Sequence, residues 1–323
     1  MSPKALFHIP DCDAVWNELN AFDEVIVRTQ GLDAVPRILD KAQPRNIVVN
    51  TVIAEIDSLA GFIRGLDVRL FMDQYTSQYQ FALILEADRI GTTAELIHFS
   101  ERLAHASVRA KLPLRNAADG ESIKILSSLD IQILIDLRQA DLDWAQLEDL
   151  LTDHLLALVD RPSLDPFRML ATICEKKDFG FSLASIHLDD FRQYLHIDEH
   201  KRLYLCRADV VSGRAVDLPL RDKARIAKTD LYKKRLQTRL THLREKTFCA
   251  FCEGFNLCQG YLWKDGQTPL CRAFFKSFFE TFDFYIKKNE KAKGKAKSGP
   301  AAVSADSRPD ASASYRRKSE KPE

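Results

Sequence analysis

Residues 24–53 read EVIVRTQGLDAVPRILDKAQPRNIVVNTVI, and this stretch decides the fold class. The run Glu24–Thr29 is rich in β-branched residues and stops at Gly31, which is typical of a strand that ends in a turn. Residues 32–42 have the apolar spacing of a helix, Pro44 closes that helix, and 46–53 is a second β-rich run. A strand, a helix and a strand in this order predict a βαβ unit with parallel strands.

The same alternation continues to about residue 160. We predict a helix through 59–63, strands at 67–72, 107–112 and 130–136, and helices at 92–104, 121–129 and 147–158; the apolar run 81–87 is ambiguous between helix and strand. Strands that alternate with helices favour a parallel sheet. The sequence therefore predicts an α/β fold in which residues 1–185 form a partial or degenerate βα barrel-like domain.

The pattern changes after Pro162 and Pro166. Residues 194–206 alternate apolar and polar side chains on both sides of a polar turn, which predicts a β-hairpin. A basic helix is predicted over 221–246 and an aromatic-rich helix over 272–286, and the chain beyond Lys288 has the composition of a disordered segment. We therefore predict a small cysteine-rich α+β domain at 186–287 and a disordered basic tail at 288–323.

The charge of the chain is a cancellation between two regions. The 323 residues carry a formal net charge of +1. Residues 287–323 hold eleven Lys and Arg against five Asp and Glu, an excess of +6, so the remainder is about −5. This balance argues against a protein that binds polyanions throughout, and hence against nucleic acid as the partner. The two basic segments, 221–246 and 287–323, would nevertheless suit RNA, an acidic peptide or an anionic surface. There is no run of about 20 apolar residues and no apolar leader, so we expect a cytoplasmic protein without a membrane partner.

Five of the seven cysteines are concentrated in one region. Four of them form a C-x2-C-x5-C-x12-C pattern, and a fifth, Cys206, ends the predicted hairpin. Clustered cysteines in a reducing compartment indicate metal binding, because disulfides do not persist there. Four thiolates suit tetrahedral Zn²⁺ or a [4Fe–4S] cluster, and the spacing leaves both open. The predicted ligands are Cys249, Cys252, Cys258 and Cys271, with Cys206 as an additional candidate.

The sequence around these cysteines resembles the SPASM domain, a module of radical S-adenosylmethionine enzymes that modify peptides. In that family C-x2-C-x5-C is followed by a glycine-containing turn, here Cys258-Gln-Gly-Tyr261, and a later cysteine leads into an aromatic helix, here Cys271-Arg-Ala-Phe-Phe. The family domain also begins with a hairpin that ends in cysteine, here Cys206. The resemblance covers about 195–286, and it implies one [4Fe–4S] cluster on the four cysteines named above.

Two departures from the family pattern limit what the resemblance implies. The family's other auxiliary cluster needs cysteines soon after Cys206 and at the position of Leu262, and this chain has neither. The catalytic C-x3-C-x2-C motif is also missing, since Cys12 and Cys174 are the only cysteines before Cys206. We therefore expect no radical S-adenosylmethionine activity from this chain alone, and no catalytic residue is assigned.

Two further groups of polar residues are weaker candidates for a functional site. His187, His196 and His200 lie near Asp189, Asp190 and Asp198 in the sequence, but hairpin turns are polar in any case. Asp136, Asp141 and Asp143 follow a strand, where barrel active sites gather, but acids are ordinary in such loops. The chain has no phosphate-binding glycine motif, no HExxH and no GxSxG.

Together these observations predict an iron–sulfur accessory protein of a peptide maturation system. By the resemblance, its partners are a radical S-adenosylmethionine enzyme, a precursor peptide, or both, and its role is to bind substrate or relay electrons. The alternative is a zinc-binding interaction protein whose Cys₄ site is purely structural. A third interpretation is a hydrolase or lyase built on the parallel sheet.

Overall fold

The computed structural model describes residues 6–61, 75, 81–92, 94–95, 108–139, 141–157, 163–177, 180–244, 248–262 and 268–297. By its internal contacts the chain divides into two compact units, residues 1–285 and 286–323. In the described part of the chain, no helix is long and apolar enough to cross a membrane.

Within this description, nine strands form a single sheet. The strands are β1 (Leu6–Pro10), β2 (Glu24–Gln30), β3 (Val48–Ser58), β4 (Ala82–Arg89), β5 (Val108–Leu112), β6 (Gln132–Ile135), β7 (Leu164–Asp165), β8 (Tyr194–Ile197) and β9 (Leu203–Tyr204). Their order is β7-β6-β5-β4-β3-β2-β1-β8-β9, and every neighbouring pair is parallel except the antiparallel pair of β8 and β9. The predicted α/β class with a parallel sheet is therefore confirmed, with β7 and β9 as its edges.

Ten helices accompany these strands in the described residues. They are α1 (Asp13–Trp16), α2 (Val35–Ala42), α3 (Ala117–Ser128), α4 (Trp144–Leu155), α5 (Phe167–Lys176), α6 (Leu183–Ile186), α7 (Arg207–Val211), α8 (Asp230–Arg244), α9 (Phe255–Cys258) and α10 (Thr268–Lys297). Asn116 caps α3 and Asp143 caps α4, each by accepting hydrogen bonds from two backbone N–H groups of the first turn. Asp143 thus has a structural role.

The two faces of the sheet differ in composition. Alternate residues of the strands, such as Val25 and Val27 of β2, join the buried faces of α2, α3, α4 and α5 in one large apolar core. Ile26 points the other way and packs in a small second cluster with Ile53, Ile84 and Tyr194. Consecutive parallel strands joined by right-handed crossovers place their helices on one face, which explains this division.

Several predicted boundaries are wrong. β3 continues to Ser58, beyond the predicted strand end at residue 53, because its residues pair with β4 as far as Arg89; residues 59–61, within the predicted helix, are helical. The basic helix is broken at Thr229, whose extended backbone separates a 3₁₀ segment, Leu220–Lys228, from α8. α10 starts at Thr268 and runs to Lys297, so residues 289–297 are helical and not disordered as predicted. The strand predicted at 67–72, most of the helix at 92–104 and the tail beyond 297 lie outside the described residues.

The hairpin is confirmed and belongs to the main sheet. β8 and β9 pair antiparallel, and β8 also pairs parallel with β1. The region predicted as a separate domain at 186–287 therefore contributes two strands, β8 and β9, to the sheet of the first region. The boundary at residue 185 stays a prediction.

Candidate functional site

A row of charged side chains crosses the face of the sheet opposite the large apolar core. Glu55 of β3, Glu86 of β4 and Lys111 of β5 are direct neighbours in the strand register. With Arg28 of β2 and the histidines His8 and His196 of β1 and β8, they form what we call the polar face. The four charged residues lie in the carboxyl-terminal halves of β2 to β5, the side on which open parallel sheets bind ligands.

Glu86 is the centre of this row. Its carboxylate accepts hydrogen bonds from Arg28 at 2.6 Å, from Lys111 at 2.8 Å and from Arg207 at 2.8 Å. Burial alone would raise the pKa of Glu86, but these cations hold it well below its usual range. Glu86 is therefore ionised at neutral pH, and it compensates three cations on three different elements.

Two stacked histidines continue the polar face across β1 and β8. The rings of His8 and His196 lie 4.3 Å apart and almost parallel. His8 Nε2 lies 2.7 Å from the Leu188 carbonyl oxygen, and His196 Nε2 lies 3.1 Å from the Asp189 carboxylate. Burial lowers the pKa of both histidines, so both are neutral near pH 7.

Asp189 connects the histidines to the loop that follows β6. Besides His196, it forms an ion pair with Arg138 and accepts the backbone N–H of Arg207 at 2.8 Å. The Arg138 guanidinium in turn lies over the ring of Tyr261, 5.1 Å from its centroid. Through these contacts the polar face reaches residues 248–262, which carry three of the four predicted ligands and which we call the cysteine segment.

Of the acidic residues that follow β6, Asp136 belongs to this network. Asp136 lies 3.1 Å from Lys111 and accepts the backbone N–H of Arg138. Asp136, Asp141, Lys111 and Glu86 line a cavity of about 510 Å³ at the carboxyl ends of β4, β5 and β6. Burial opposes ionisation of Asp136, but Lys111 and other partners lower its pKa below the usual value.

Three of the four predicted metal ligands lie on helical elements of the C-terminal region, and the fourth, Cys252, lies between two of these elements. Cys249 is in the 3₁₀ segment Phe248–Phe251, Cys258 ends α9, and Cys271 is in the first turn of α10. These three are buried, while Cys252, which follows the 3₁₀ segment, is half-buried. Gly254 allows the segment to pack closely on α10, since a Cβ there would lie 2.0 Å from the Phe275 ring.

The structure brings these four thiols into one another's electrostatic range. Burial, with smaller contributions from the thiols of Cys271 and Cys249, raises the pKa of Cys258 to about 12. Burial also raises the pKa of Cys271 to about 11, with further contributions from Cys252 and Cys249. Four thiols that resist ionisation when isolated but lie together are a donor set that a soft cation would convert to thiolates.

The arrangement is nevertheless not a finished ligand shell. Among the residues that the structure describes, no group of three or more His, Cys, Asp or Glu side chains is placed to hold a metal ion. By donor chemistry the four cysteines fit both Zn²⁺ and a [4Fe–4S] cluster. Metal sites of this type commonly close only when the metal binds, because binding and local folding are coupled.

Cys206 has other partners. Its thiol donates to Asp209 at 3.2 Å and accepts from Arg235 at 3.2 Å, and Asp209 is fully buried. Burial raises the pKa of Cys206 to about 11. The groups that contact its thiol are a carboxylate and a guanidinium, so its use as an additional ligand stays a prediction.

The histidine and aspartate group was only partly anticipated. His196 and Asp189 meet, His187 lies near Asp136, and Asp190 pairs with Arg192 at 2.5 Å. His200, by contrast, is exposed in the hairpin turn. Sequence reasoning missed Glu86, Arg28, Lys111, Arg207 and Tyr261; the available signal was a charged residue late in each of several buried strands.

Comparison of the chain with protein-family models, with curated proteins and with solved structures found no match. The geometry and the residues themselves are therefore the basis for any functional conclusion.

Proposed function

We propose that this protein is a metal-binding accessory protein of a peptide maturation system, with one [4Fe–4S] cluster on Cys249, Cys252, Cys258 and Cys271. The observation that carries the proposal is that these four thiols, which lie between Phe248 and the first turn of α10, are within one another's electrostatic range. When bound, such a cluster carries single electrons.

Those residues support a binding role next to the cysteines. Cys258 lines a cavity of about 230 Å³ together with Arg138 and Asp189 of the polar-face network. A molecule held there would touch both the cysteine segment and the sheet. This arrangement supports a protein that presents a substrate beside its metal centre. As the partner we propose a radical S-adenosylmethionine enzyme in the cytoplasm, and we propose that residues 1–185 are related to that enzyme's βα barrel.

The test is anaerobic purification of the full chain followed by iron, sulfide and zinc analysis. We expect a brown protein with about four irons per chain. Cys252→Ser should lose the metal, whereas Cys12→Ser should keep it, because Cys12 lies at the start of α1 in the N-terminal part of the sheet domain. A colourless protein with one zinc would contradict the cluster, and metal loss on Cys12→Ser would contradict the assignment of ligands.

A structural zinc site is the second candidate. Cys249, Cys258 and Cys271 are buried, and α9 has only four residues, so a closed Cys₄ site would suit a segment with little regular structure of its own. In that case the chain would bind its partner through its surface alone. Stoichiometric zinc that survives anaerobic reconstitution with iron and sulfide would favour this candidate.

A further inference from the structure

The basic helix α8 is attached to the rest of the protein by one side. Arg235 pairs with the buried Asp209 at 2.5 Å and donates to the Cys206 thiol at 3.2 Å. Leu231 lies one turn before Arg235 on the same side, and both Leu231 and Tyr232 pack against the large apolar core. The opposite side of the helix is therefore turned away from the core.

This outer side of α8 carries exposed apolar residues. Leu236 and Leu240 lie one turn apart and are 37% and 48% exposed. The 3₁₀ segment Phe248–Phe251 contacts α8, and its last residue, Phe251, is 63% exposed. A single exposed leucine is ordinary on a protein surface, but two leucines on one helix side next to an exposed aromatic ring indicate a surface that a partner covers.

Cations flank these apolar residues. Lys233 and Lys234 of α8 are exposed; Lys233 only approaches the exposed Asp230 at 3.8 Å, and Lys234 makes no ion pair within the described residues. Arg225 and Lys228 of the preceding 3₁₀ segment are also exposed and have no ion-pair partner there. A carboxylate that approached these cations would not have to displace a strong existing ion pair.

The positive charge is confined to this region of the body. Residues 220–244 hold nine Lys and Arg against two Asp and Glu, an excess of +7. Since residues 1–286 together carry about −5, the rest of them carry about −12. A long polyanion or an extended anionic surface would meet this negative charge as well, whereas a short acidic segment would meet only the cations. The exposed leucines favour a peptide in addition, because its apolar side chains can cover them and a phosphate backbone cannot.

We propose that this surface docks an acidic, amphipathic segment of a peptide. The surface, which we call the docking face, consists of Lys233, Lys234, Leu236, Leu240 and Phe251. The carboxylates of the peptide pair with the two lysines, and its apolar side chains cover the leucines and the phenylalanine. Because Phe251 lies between Cys249 and Cys252, a peptide bound here lies beside the proposed metal centre. The inference rests on the proposed role in presenting a peptide, and it adds the charge class of that peptide and the place where it binds.

The test uses the full-length protein and a fluorescently labelled peptide, acetyl-Glu-Leu-Leu-Glu-Glu-Leu-Leu-Glu-Glu-amide, followed by fluorescence anisotropy at pH 7. We expect saturable binding that weakens as the salt concentration is raised. Two comparison peptides separate the contributions: in one every Glu is replaced by Lys, and in the other every Leu is replaced by Ser. Each should bind at least about tenfold more weakly than the first peptide.

Variants locate the binding on the docking face. Reversing both charges, with Lys233→Glu and Lys234→Glu together, should weaken binding of the acidic peptide at least about tenfold, whereas Lys233→Arg with Lys234→Arg should preserve it. Leu240→Gln should weaken binding about fivefold. Lys176→Glu, at an exposed lysine of α5, is the matched control and should bind as the unmodified protein does. All these side chains are exposed, so the unfolding midpoints should agree.

Several results would overturn the proposal. Absence of saturable binding, or equal binding of the Glu and Lys peptides, would exclude an acidic partner. Unchanged binding by the charge-reversed variant and by Leu240→Gln would place the peptide elsewhere, for example on the basic residues 287–323. Tighter binding of oligouridylate or of phosphatidylserine vesicles, lost in the charge-reversed variant, would assign the docking face to a polyanion instead.

Metal content measured on the same samples keeps the two proposals apart. A protein that binds the acidic peptide but holds no metal contradicts the proposed metal centre alone. A protein that holds its cluster but does not bind the peptide contradicts the docking face alone.

Discussion

One Nη of Arg207 donates to both carboxylate oxygens of Glu86, at 2.8 and 3.1 Å, across 121 positions of sequence. Arg207 directly follows Cys206 at the end of the hairpin, and Glu86 lies on β4 near the middle of the sheet. The same arginine donates its backbone N–H to Asp189 at 2.8 Å. This one residue therefore fixes the hairpin cysteine relative to the polar face, and the cavity next to Cys206 depends on it.

Replacing Glu86 by glutamine should destabilise the protein strongly. The substitution keeps the side-chain shape but removes the negative charge that Arg28, Lys111 and Arg207 share, so that Glu55 and Asp136 remain as their acidic partners. Because Glu86 is mostly buried, we expect a loss of about 3 kcal/mol in the free energy of unfolding, measured by urea denaturation. Asp149→Asn is the control: its pair with Lys124 is exposed, and the loss should stay below about 0.5 kcal/mol. Equal effects of the two substitutions would contradict a central role for Glu86.

The stability of the protein should fall between about pH 6.5 and pH 4 because of buried histidines. Burial lowers the pKa of His8, His187 and His196, that of His187 to about 4. Below pH 6.5 the unfolded chain therefore takes up protons that the folded protein does not, and each histidine contributes a slope of up to about 1.4 kcal/mol per pH unit. Urea denaturation at several pH values measures the slope.

Substitutions identify the groups responsible for this slope. His187→Gln should reduce it, whereas His200→Gln should not, because His200 is exposed in the hairpin turn. Buried carboxylates such as Asp189 have lowered pKa values, so their stabilisation is lost only below about pH 4. A stability that is flat from pH 6.5 to 4 would contradict neutral, buried histidines.

Cys206→Ser should leave the metal content unchanged. The partners of Cys206 are Asp209 and Arg235, and a serine hydroxyl can make both of these hydrogen bonds. Cys258→Ser, in contrast, removes one of the four converging thiols and should abolish stoichiometric metal binding. Metal analysis of the two variants, purified in parallel without oxygen, provides the measurement. Loss of metal on Cys206→Ser would make Cys206 a ligand.

Phe274→Ala should destabilise the whole of residues 1–285 in one transition. Phe274 is fully buried on α10, and its ring lies 6.2 Å from Trp144 of α4 and 6.4 Å from Phe167 of α5. Truncation leaves a cavity between the last helix and the sheet's helical layer, at a cost of about 4 kcal/mol. Circular dichroism during urea unfolding gives both the midpoint and the number of transitions.

The matched control for this substitution lies on the same helix. Phe284 is 58% exposed, so Phe284→Ala should change the stability by no more than about 0.5 kcal/mol. Two separate transitions in the Phe274 variant would show that the C-terminal region folds as an independent unit.

The parts of the fold that follow from local pattern were predicted well. The β-branched runs at 24–29, 107–112 and 130–136 and the hairpin at 194–206 lie where expected, because period and turn residues determine them over a few positions. The extension of β3 to Ser58 was missed because it depends on pairing with β4, about thirty residues away. The break in the basic helix at residue 229 and the end of α10 at residue 297 were also missed, because composition does not fix the backbone conformation at these positions.

By itself, the sequence determined that this chain is an α/β protein and that four of its cysteines are spaced C-x2-C-x5-C-x12-C, because apolar periodicity and cysteine spacing are local properties of the chain. Only the tertiary structure decided that Glu86, Arg207, Asp189 and Arg138 form one network that leads to Tyr261 and the cysteine segment. Those residues are separated by tens of positions, and their chemistry depends on which strands are neighbours. The physical reason is that charge compensation and burial are set by distances in space, which no local pattern encodes.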